Sequence, residues 1–270
     1  MKINLFKQLS SLFDILKKTD VRSGEIELKE KITHLSILHI LVEKNKSIIL
    51  NNISLGADKG ERIALMGDIE TGKNSFVNLL IRAYDPKEGE IIVNEKYNIK
   101  DLTLESLQQR ISYISQPIEF KKDTIAKNIA YNQTYDEQKV KNALKKVYAL
   151  EFVELLEEGV NTMLSKNAEN LLEGERQLIA LARAIYKEPD ILIYEEPTFT
   201  IEPKNETLIY QALHELKSEM IIISLTNQLR SLKNADAILL FKEGKIICRG
   251  QHEILIDECE EYQKLAKVLG

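Results

Sequence analysis

Gly67-Asp-Ile-Glu-Thr-Gly72-Lys73-Asn74 is the stretch that decides how this sequence folds. The apolar run Arg62–Met66 before it predicts a strand, and the apolar spacing of residues 75–84 after it predicts a helix. Glycines allow a backbone path that turns several N–H groups toward one anion, and the start of the helix adds the positive end of its dipole. The spacing therefore predicts a phosphate-binding loop, in which Lys73 reaches the outer phosphates of a nucleotide.

Position 74 departs from the usual form of this loop. The pattern expects Ser or Thr after the lysine, because that hydroxyl holds a magnesium ion, and this chain has Asn74. Ser75 does not take over this role, since one residue along a helix rotates a side chain by about 100°. We expect a loop that holds a nucleotide but is poorly suited to chemistry on it.

The composition is typical of an ordinary globular protein. The chain has 270 residues, 44% of them hydrophobic and 29% charged, and its net charge of -5 gives no reason to expect nucleic acid as a partner. Cys248 and Cys259 are its two cysteines, so we expect no disulfide framework and favour a reducing compartment. No apolar run approaches the roughly 18 residues that cross a bilayer. Lysines and Asp14 interrupt the apolar N-terminus, which does not match a signal peptide.

Short apolar runs alternate with helical spacing along the chain. Strands are predicted at residues 35–42, 47–55, 62–66, 90–94, 111–115, 190–194, 220–225, 237–241 and 245–248, and helices at residues 3–18 and 75–84, within residues 123–160, and at residues 171–186 and 253–269. This pattern predicts a lobe with a mixed sheet from residues 32–116 and 186–250, and a mainly helical lobe from about 117 to 185.

A second functional signal lies downstream of the loop. The predicted strand at residues 190–194 is followed by Glu195 and Glu196. A nucleotide hydrolase uses two carboxylates at such a strand end, one as a magnesium partner and one as the base that activates water. The segment Leu171-Leu-Glu-Gly-Glu-Arg-Gln precedes this strand and opens a predicted helix.

In this order, the segments resemble the nucleotide-binding domain of ATP-binding-cassette (ABC) transporters, and most of all the exporter branch, which includes lipid flippases and peptide exporters. The resemblance covers essentially the whole chain. Residues 111–116 match the strand that ends in the Q-loop glutamine, and residues 123–130 match the start of the helical subdomain. Residues 234–236 and 243–250 match the strands after the switch region, and residues 12–16 resemble the segment that leaves the last membrane helix.

The resemblance implies an α/β fold, with a RecA-like P-loop NTPase core, an N-terminal antiparallel β subdomain and a helical insert subdomain. It implies a linker helix and linker over residues 1–31 and a nucleotide-binding domain over residues 32–270, with the helical subdomain at about 117–185. It further implies ATP and Mg²⁺ as cofactors. The implied partners are the transmembrane domain of an exporter and a second nucleotide-binding domain, in a homo- or heterodimer at the cytoplasmic face of a membrane.

The resemblance also implies a role for each site residue. The nucleotide-binding positions are Val42, near the place of the aromatic residue that stacks on adenine, and Gly67, Asp68, Glu70, Thr71, Gly72, Lys73, Asn74 and Ser75. The metal positions are Asn74, Gln116 and Glu195. The catalytic positions are Glu196, as the general base that polarises the attacking water, together with Gln116 and Asn227.

Several of these positions depart from the family pattern. The signature Leu-Ser-Gly-Gly-Gln touches the γ-phosphate held by a second subunit, and here Leu172 lacks the hydroxyl while Glu173 and Glu175 add two negative charges. Carboxylates that face a triphosphate disfavour binding. The other substitutions are Val42 for the aromatic residue, whose stacking is worth roughly 1–3 kcal/mol, Glu195 for an aspartate, and Asn227 for the switch histidine.

Three functions are compatible with this pattern. The first is an ATP-binding subunit with a degenerate site, acting as the non-catalytic half of an asymmetric exporter. The second is an active transport ATPase with slow turnover, and the third is a non-hydrolytic scaffold or regulatory module. A soluble DNA-repair-type or translation-type ATPase is disfavoured by the exporter-like linker and the single cassette. A partner cassette with an intact signature and switch would favour the first.

Overall fold

The computed structural model describes residues 21–68, 71–197 and 201–269. The predicted helix at residues 3–18, the exporter-like segment at 12–16 and Glu70 of the loop lie outside these ranges. The strands are β1 His34–Lys44, β2 Ser47–Asp58, β3 Arg62–Met66, β4 Glu88–Val93, β5 Tyr97–Asn98, β6 Ile111–Ile114, β7 Ile191–Glu195, β8 Ile221–Leu225, β9 Ala237–Lys242 and β10 Lys245–Gly250. The helices are α1 Lys73–Leu80, α2 Leu104–Arg110, α3 Ile125–Ile129, α4 Glu137–Lys146, α5 Leu150–Glu154, α6 Glu173–Tyr186, α7 Pro203–Leu216, α8 Leu229–Lys233, α9 His252–Glu258 and α10 Glu260–Leu269.

The strands form two sheets. An antiparallel sheet has the order β2-β1-β4-β5, and a six-stranded sheet has the order β10-β9-β3-β8-β7-β6. In the larger sheet β6, β7, β8, β3 and β9 are parallel, and β10 is antiparallel to β9. Every residue of β3 and β8 is buried, as expected for parallel strands with both faces covered. The predicted α/β fold, with an antiparallel sheet beside a P-loop NTPase core, is confirmed.

Helices α3 to α6 follow β6 and precede β7 in the sequence, and they share one apolar core. Val140, Leu144 and Leu178 are buried in this core. Side-chain caps begin two of the helices, because Thr124 Oγ1 accepts from the Lys127 N–H at 3.2 Å and Asp136 Oδ1 accepts from the Lys139 N–H at 2.9 Å. The subdomain limits of about 117 and 185 stay a prediction.

The structure differs from the predicted elements at several places. Helix α1 ends at Leu80 rather than near residue 84. Two residues after this end, Arg82 adopts a left-handed φ of 52°. The buried Arg82 guanidinium donates to Asp85 Oδ1 and to the Leu102 carbonyl, and these partners require the chain to leave the helix. The pattern predicts no element over residues 201–219, where α7 lies, and none at α2 or α8.

The two cysteines are bonded to each other. Cys248 on β10 and Cys259 between α9 and α10 form a disulfide, and their Cα atoms are 6.4 Å apart. The sequence predicted no disulfide framework, and this one bond forms because the C-terminal helices fold back onto β10 and bring together two residues that are 11 positions apart. No described helix combines the length and apolar character that spanning a membrane would need.

Candidate functional site

The loop between β3 and α1 is a tight path that two glycines make possible. Gly67 has a φ of 139° and Gly72 a φ of 99°, values that side chains with a Cβ rarely adopt. A Cβ on Gly67 would lie 2.6 Å from the Phe241 carbonyl oxygen, and one on Gly72 would lie 2.7 Å from Leu50. The Gly244 N–H in the β9–β10 turn donates to the Thr71 carbonyl at 3.1 Å, so this turn braces the loop.

Lys73 is the first residue of α1 and is buried. Burial lowers the pKa of Lys73 below its ordinary value, and the negative charges of Asp68 and Glu195 oppose this shift. No acidic residue lies in the first turn of α1, so no carboxylate of that turn competes with an anion for the helix N-terminus. A phosphate at this position would compensate the buried ammonium.

Glu195 and Gln116 meet at the carboxyl edge of the parallel sheet. Glu195 ends β7 and Gln116 follows the neighbouring strand β6, so both reach the same edge. Glu195 Oε2 accepts from the Tyr113 hydroxyl and from the Gln116 N–H, each at 3.1 Å, and Gln116 Nε2 donates to the Glu195 carbonyl at 2.9 Å. The structure thus brings together the predicted metal position Glu195, Gln116 and the loop lysine.

The oxygen donors near the loop are of the kind that Mg²⁺ prefers. Glu195 offers a carboxylate, Gln116 an amide, and Asn74 an exposed amide in the first turn of α1. Among the described residues no group of three His, Cys, Asp or Glu side chains is arranged to hold a metal. Protein Mg²⁺ sites of this type use one or two carboxylates and complete the shell with substrate phosphates. The donor set therefore fits Mg²⁺ bound together with a nucleotide.

Glu196 lies on the other side of the sheet. Successive residues of an extended chain point to opposite faces, and Glu196 follows Glu195 directly. Its side chain is 3% exposed, and Oε1 lies 3.0 Å from Arg62 Nη2 and 2.5 Å from Ser231 Oγ. Thr226 Oγ1 donates to Oε2 at 2.7 Å. The structure does not bring the predicted general base together with Glu195 and Gln116.

Asn227 is turned onto the loop itself. Its Oδ1 accepts from the Gly67 N–H at 3.1 Å, and its Nδ2 donates to the Gly67 carbonyl at 3.2 Å. Both polar groups of the amide are therefore paired with the backbone of one residue, Gly67. Asn227 thus fixes the end of β8 to the start of the loop.

Val42 is buried and lies in the interior of the antiparallel sheet. It is 6% exposed, pairs with Leu50 across β1 and β2, and belongs to the apolar core beneath α1. The side chain therefore offers little surface on which an adenine base could stack.

Two backbone N–H groups of the segment in the place of the signature motif are bound by carboxylates of this chain. Glu175 Oε2 accepts from the Leu172 N–H at 2.9 Å, and Glu202 Oε2 accepts from the Gly174 N–H at 3.2 Å. The Glu173 carboxylate pairs with Arg176 on the same helix. Carboxylates thus accept from the Leu172 and Gly174 N–H groups at the start of α6, a helix end that favours negative charge.

Sequence reasoning missed two residues of the site, Arg62 and Glu202. Arg62 carried a visible signal, because it is a charged residue at the start of the apolar run that was predicted to be a strand, and a charge buried with such a run requires a partner. Glu202 gave no comparable signal, since its contact with Gly174 joins positions 28 residues apart.

Comparisons with known proteins identify the family and the fold. The family model for ABC transporters matches residues 50–199. An ATP-dependent lipid A-core flippase of Haemophilus influenzae (strain 86-028NP) is 34% identical over 250 residues, which are 92% of this chain and 41% of the flippase. The flippase of Pectobacterium atrosepticum is 31% identical over 262 residues, 96% of this chain and 45% of its own length. The chain therefore spans less than half the length of these curated relatives.

A solved structure has the same fold. It is described as a bacterial Atm1-family ABC exporter with ATP bound. Its TM-score with this chain is 0.82 at 25% sequence identity, over 93% of this chain and 44% of the exporter chain.

Proposed function

The chain belongs to the ABC transporter family, and from this premise we propose that it is the ATP-binding domain of a membrane exporter, with a site that hydrolyses ATP slowly. One observation carries the proposal. Lys73, Glu195 and Gln116 are grouped around the loop, whereas Asn227 is bound to Gly67 and Glu196 lies in the core. The groups that bind phosphate are in place, and those that would act on the γ-phosphate have other partners.

ATP binding rests on the loop and its lysine. The N–H groups of the loop and of the first turn of α1 would hold the phosphates. The negative charge of the phosphates would compensate the buried Lys73 ammonium. Mg²⁺ would be held by Glu195, Gln116 and Asn74 together with phosphate oxygens, and it would neutralise part of the triphosphate charge. Asn74 offers a neutral amide oxygen where the pattern expects a hydroxyl.

The partners follow from the family. We assign the chain to the cytoplasmic face of a membrane, in contact with an exporter's transmembrane domain and with a second nucleotide-binding domain. The lipid A-core flippases and the Atm1-family exporter support this assignment, because each is a longer protein of which this chain matches less than half. The carboxylates at the start of α6 favour a partner cassette that supplies the intact catalytic half.

An active transport ATPase is the alternative. The presence of Glu196 directly after β7 favours it, because that position carries the general base in the family. A non-hydrolytic scaffold is the third candidate, which Leu172 and Glu173 favour.

The test is ATP binding and phosphate release measured on the same purified chain. We expect Mg-ATP to bind in the high micromolar range or weaker, and phosphate release to remain barely above background. Lys73→Ala should abolish the binding, and Lys166→Ala, which changes an exposed lysine distant in sequence, serves as the matched control. Family-typical turnover in the parent would overturn the slow-site proposal, and no binding at millimolar Mg-ATP would overturn the nucleotide-binding function itself.

A further inference from the structure

Arg62 and Glu196 form a buried ion pair that the loop chemistry does not require. Both side chains are nearly inaccessible, at 2% and 3% exposure. The Arg62 guanidinium also donates to Ser231 Oγ at 2.5 Å, and its Nε donates to Ser224 Oγ at 3.2 Å. Ser231 and Thr226 then donate to the two oxygens of Glu196. The carboxylate is fully engaged on the face of the sheet opposite α1.

The ion pair joins the start of one strand, β3, to the end of another, β7. Arg62 begins β3, level with Ile222 of β8, whereas Glu196 follows the last residue of β7, which is level with Leu225 of β8. The Arg62 side chain therefore extends along the sheet face to meet a carboxylate at the opposite strand end. Its guanidinium also lies over the Tyr210 ring, 5.6 Å from the centroid, which fixes its direction.

The same network connects the two loops that flank the sheet edge. The Gln228 N–H donates to Thr226 Oγ1 at 2.9 Å, and Gln228 Nε2 donates to the Pro197 carbonyl at 2.8 Å. The segment after Glu196 and the segment after β8 are thus joined around the buried carboxylate. Moving Glu196 toward the loop would break its bonds to Arg62, Ser231 and Thr226.

We infer that Arg62 is a positioning residue that withholds Glu196 from the phosphate site, and that this buried ion pair limits hydrolysis. The inference deepens the proposed function and rests on it, since it presumes that ATP binds at the loop. With the pair intact, Glu196 has a structural role in the core. Once released, its carboxylate takes the proton of the attacking water, while the water oxygen bonds to the γ-phosphorus. The bond from that phosphorus to the bridging oxygen breaks, and ADP leaves with the electron pair.

The first experiment measures the position of Glu196 without nucleotide. The purified chain is treated with a water-soluble carbodiimide and a small amine, and each carboxylate is followed by peptide mass spectrometry. Glu196 reacts only through local opening, so we expect it to react at least about tenfold more slowly than the exposed Glu169. Arg62→Met should remove most of this difference. Equal reaction of Glu196 and Glu169 in the parent would overturn the inference, whether or not the chain binds ATP.

The second experiment measures phosphate release per bound ATP in a set of variants. We expect Arg62→Met to raise kcat by about tenfold, less than the full 10²–10⁴ of a general base, because other contacts to the reacting phosphate are missing. Arg62→Lys keeps the charge and should show no such rise. Glu196→Gln added to Arg62→Met should remove the gain. A gain that persists in this double variant, or a change in KM alone, would contradict a role for Arg62 in positioning Glu196.

Stability provides the control for folding. Breaking a buried pair leaves an uncompensated charge, so Arg62→Met should lower the Tm by roughly 10 °C. Adding Glu196→Gln should restore part of this loss. Ser231→Ala keeps both charges and removes one hydroxyl, so it carries the labelling and turnover comparison if Arg62→Met does not fold. Faster labelling of Glu196 and a smaller rise in kcat in Ser231→Ala support the inference, and unchanged values in both assays refute it.

Discussion

Replacing Asn227 by Ala should lower the stability of the protein, because Asn227 holds the start of the loop in place. The amide makes two hydrogen bonds to the backbone of Gly67, one with its N–H at 3.1 Å and one with its carbonyl at 3.2 Å. Each is worth a net of about 0.5–1.5 kcal/mol, so their loss should lower the free energy of unfolding by about 1–3 kcal/mol. For a domain of this size that corresponds to a Tm lower by roughly 2–4 °C per kcal/mol, measured by thermal unfolding without nucleotide.

Asn234→Ala is the matched control. Asn234 is exposed and its Nδ2 makes one bond, at 2.8 Å, to the Arg230 carbonyl, so its removal should change stability by no more than about 0.5 kcal/mol. An Asn227→Ala variant as stable as the Asn234→Ala control would show that the pair with Gly67 contributes nothing, and would refute the reasoning.

Asn227→His separates the structural role from the catalytic one. A neutral imidazole carries its donor and its acceptor on opposite sides of the ring, so it cannot pair with both the N–H and the carbonyl of Gly67 as the amide does. We expect Asn227→His to be destabilised like Asn227→Ala and to release phosphate only slightly faster than the parent, because Glu196 stays bound to Arg62. Family-typical turnover in this single variant would show that the histidine position alone had limited the rate.

Two further predictions concern the core. Val42→Tyr should lower the free energy of unfolding by about 1–3 kcal/mol through overpacking, without tightening Mg-ATP binding, since position 42 is buried; tighter binding, measured by titration, would contradict this. Burial lowers the pKa of Lys187 from 10.5 to about 8. Between these two pH values the Lys187 amine is protonated in the unfolded chain and neutral in the folded one. The free energy of unfolding therefore rises with pH over this range. Unfolding between pH 7 and 9.5 should show a smaller rise for Lys187→Met than for the parent, and equal slopes would exclude this contribution.

Local sequence pattern was sufficient to predict the strand and the glycine loop that carry the site. The bounds of β3 follow from its apolar run and are confirmed, and Gly67 and Gly72 have the positive φ values that a tight loop requires. Helix α1 begins at Lys73, two residues earlier than predicted. Strand alternation also explains why Glu195 and Glu196 point to opposite faces. Helix α7 was missed although a proline begins it and its buried positions follow helical spacing.

The partners of the reactive side chains could not be predicted from local pattern. Glu196 is bound by a residue 134 positions away, and Asn227 by a glycine 160 positions away. Motif position assigns a role to a residue on the assumption that its side chain points to the ligand. For these two residues the direction depends on Arg62 and on the Gly67 peptide, which only the folded sheet brings within reach.

If the site hydrolyses ATP slowly, as we propose, these internal partners determine which substitutions would raise the rate. The buried Glu196, the exposed Asn227 and the partly buried Glu202 each have a hydrogen-bond partner within the chain. Restoring serine at 74, aspartate at 195 and histidine at 227 would improve the metal and phosphate contacts, yet the carboxylate that must accept the proton would stay on Arg62. The groups of a catalytic site act as a unit, so the contribution of each depends on the others being present. Release of Glu196 is therefore the step on which the effect of the other restorations depends.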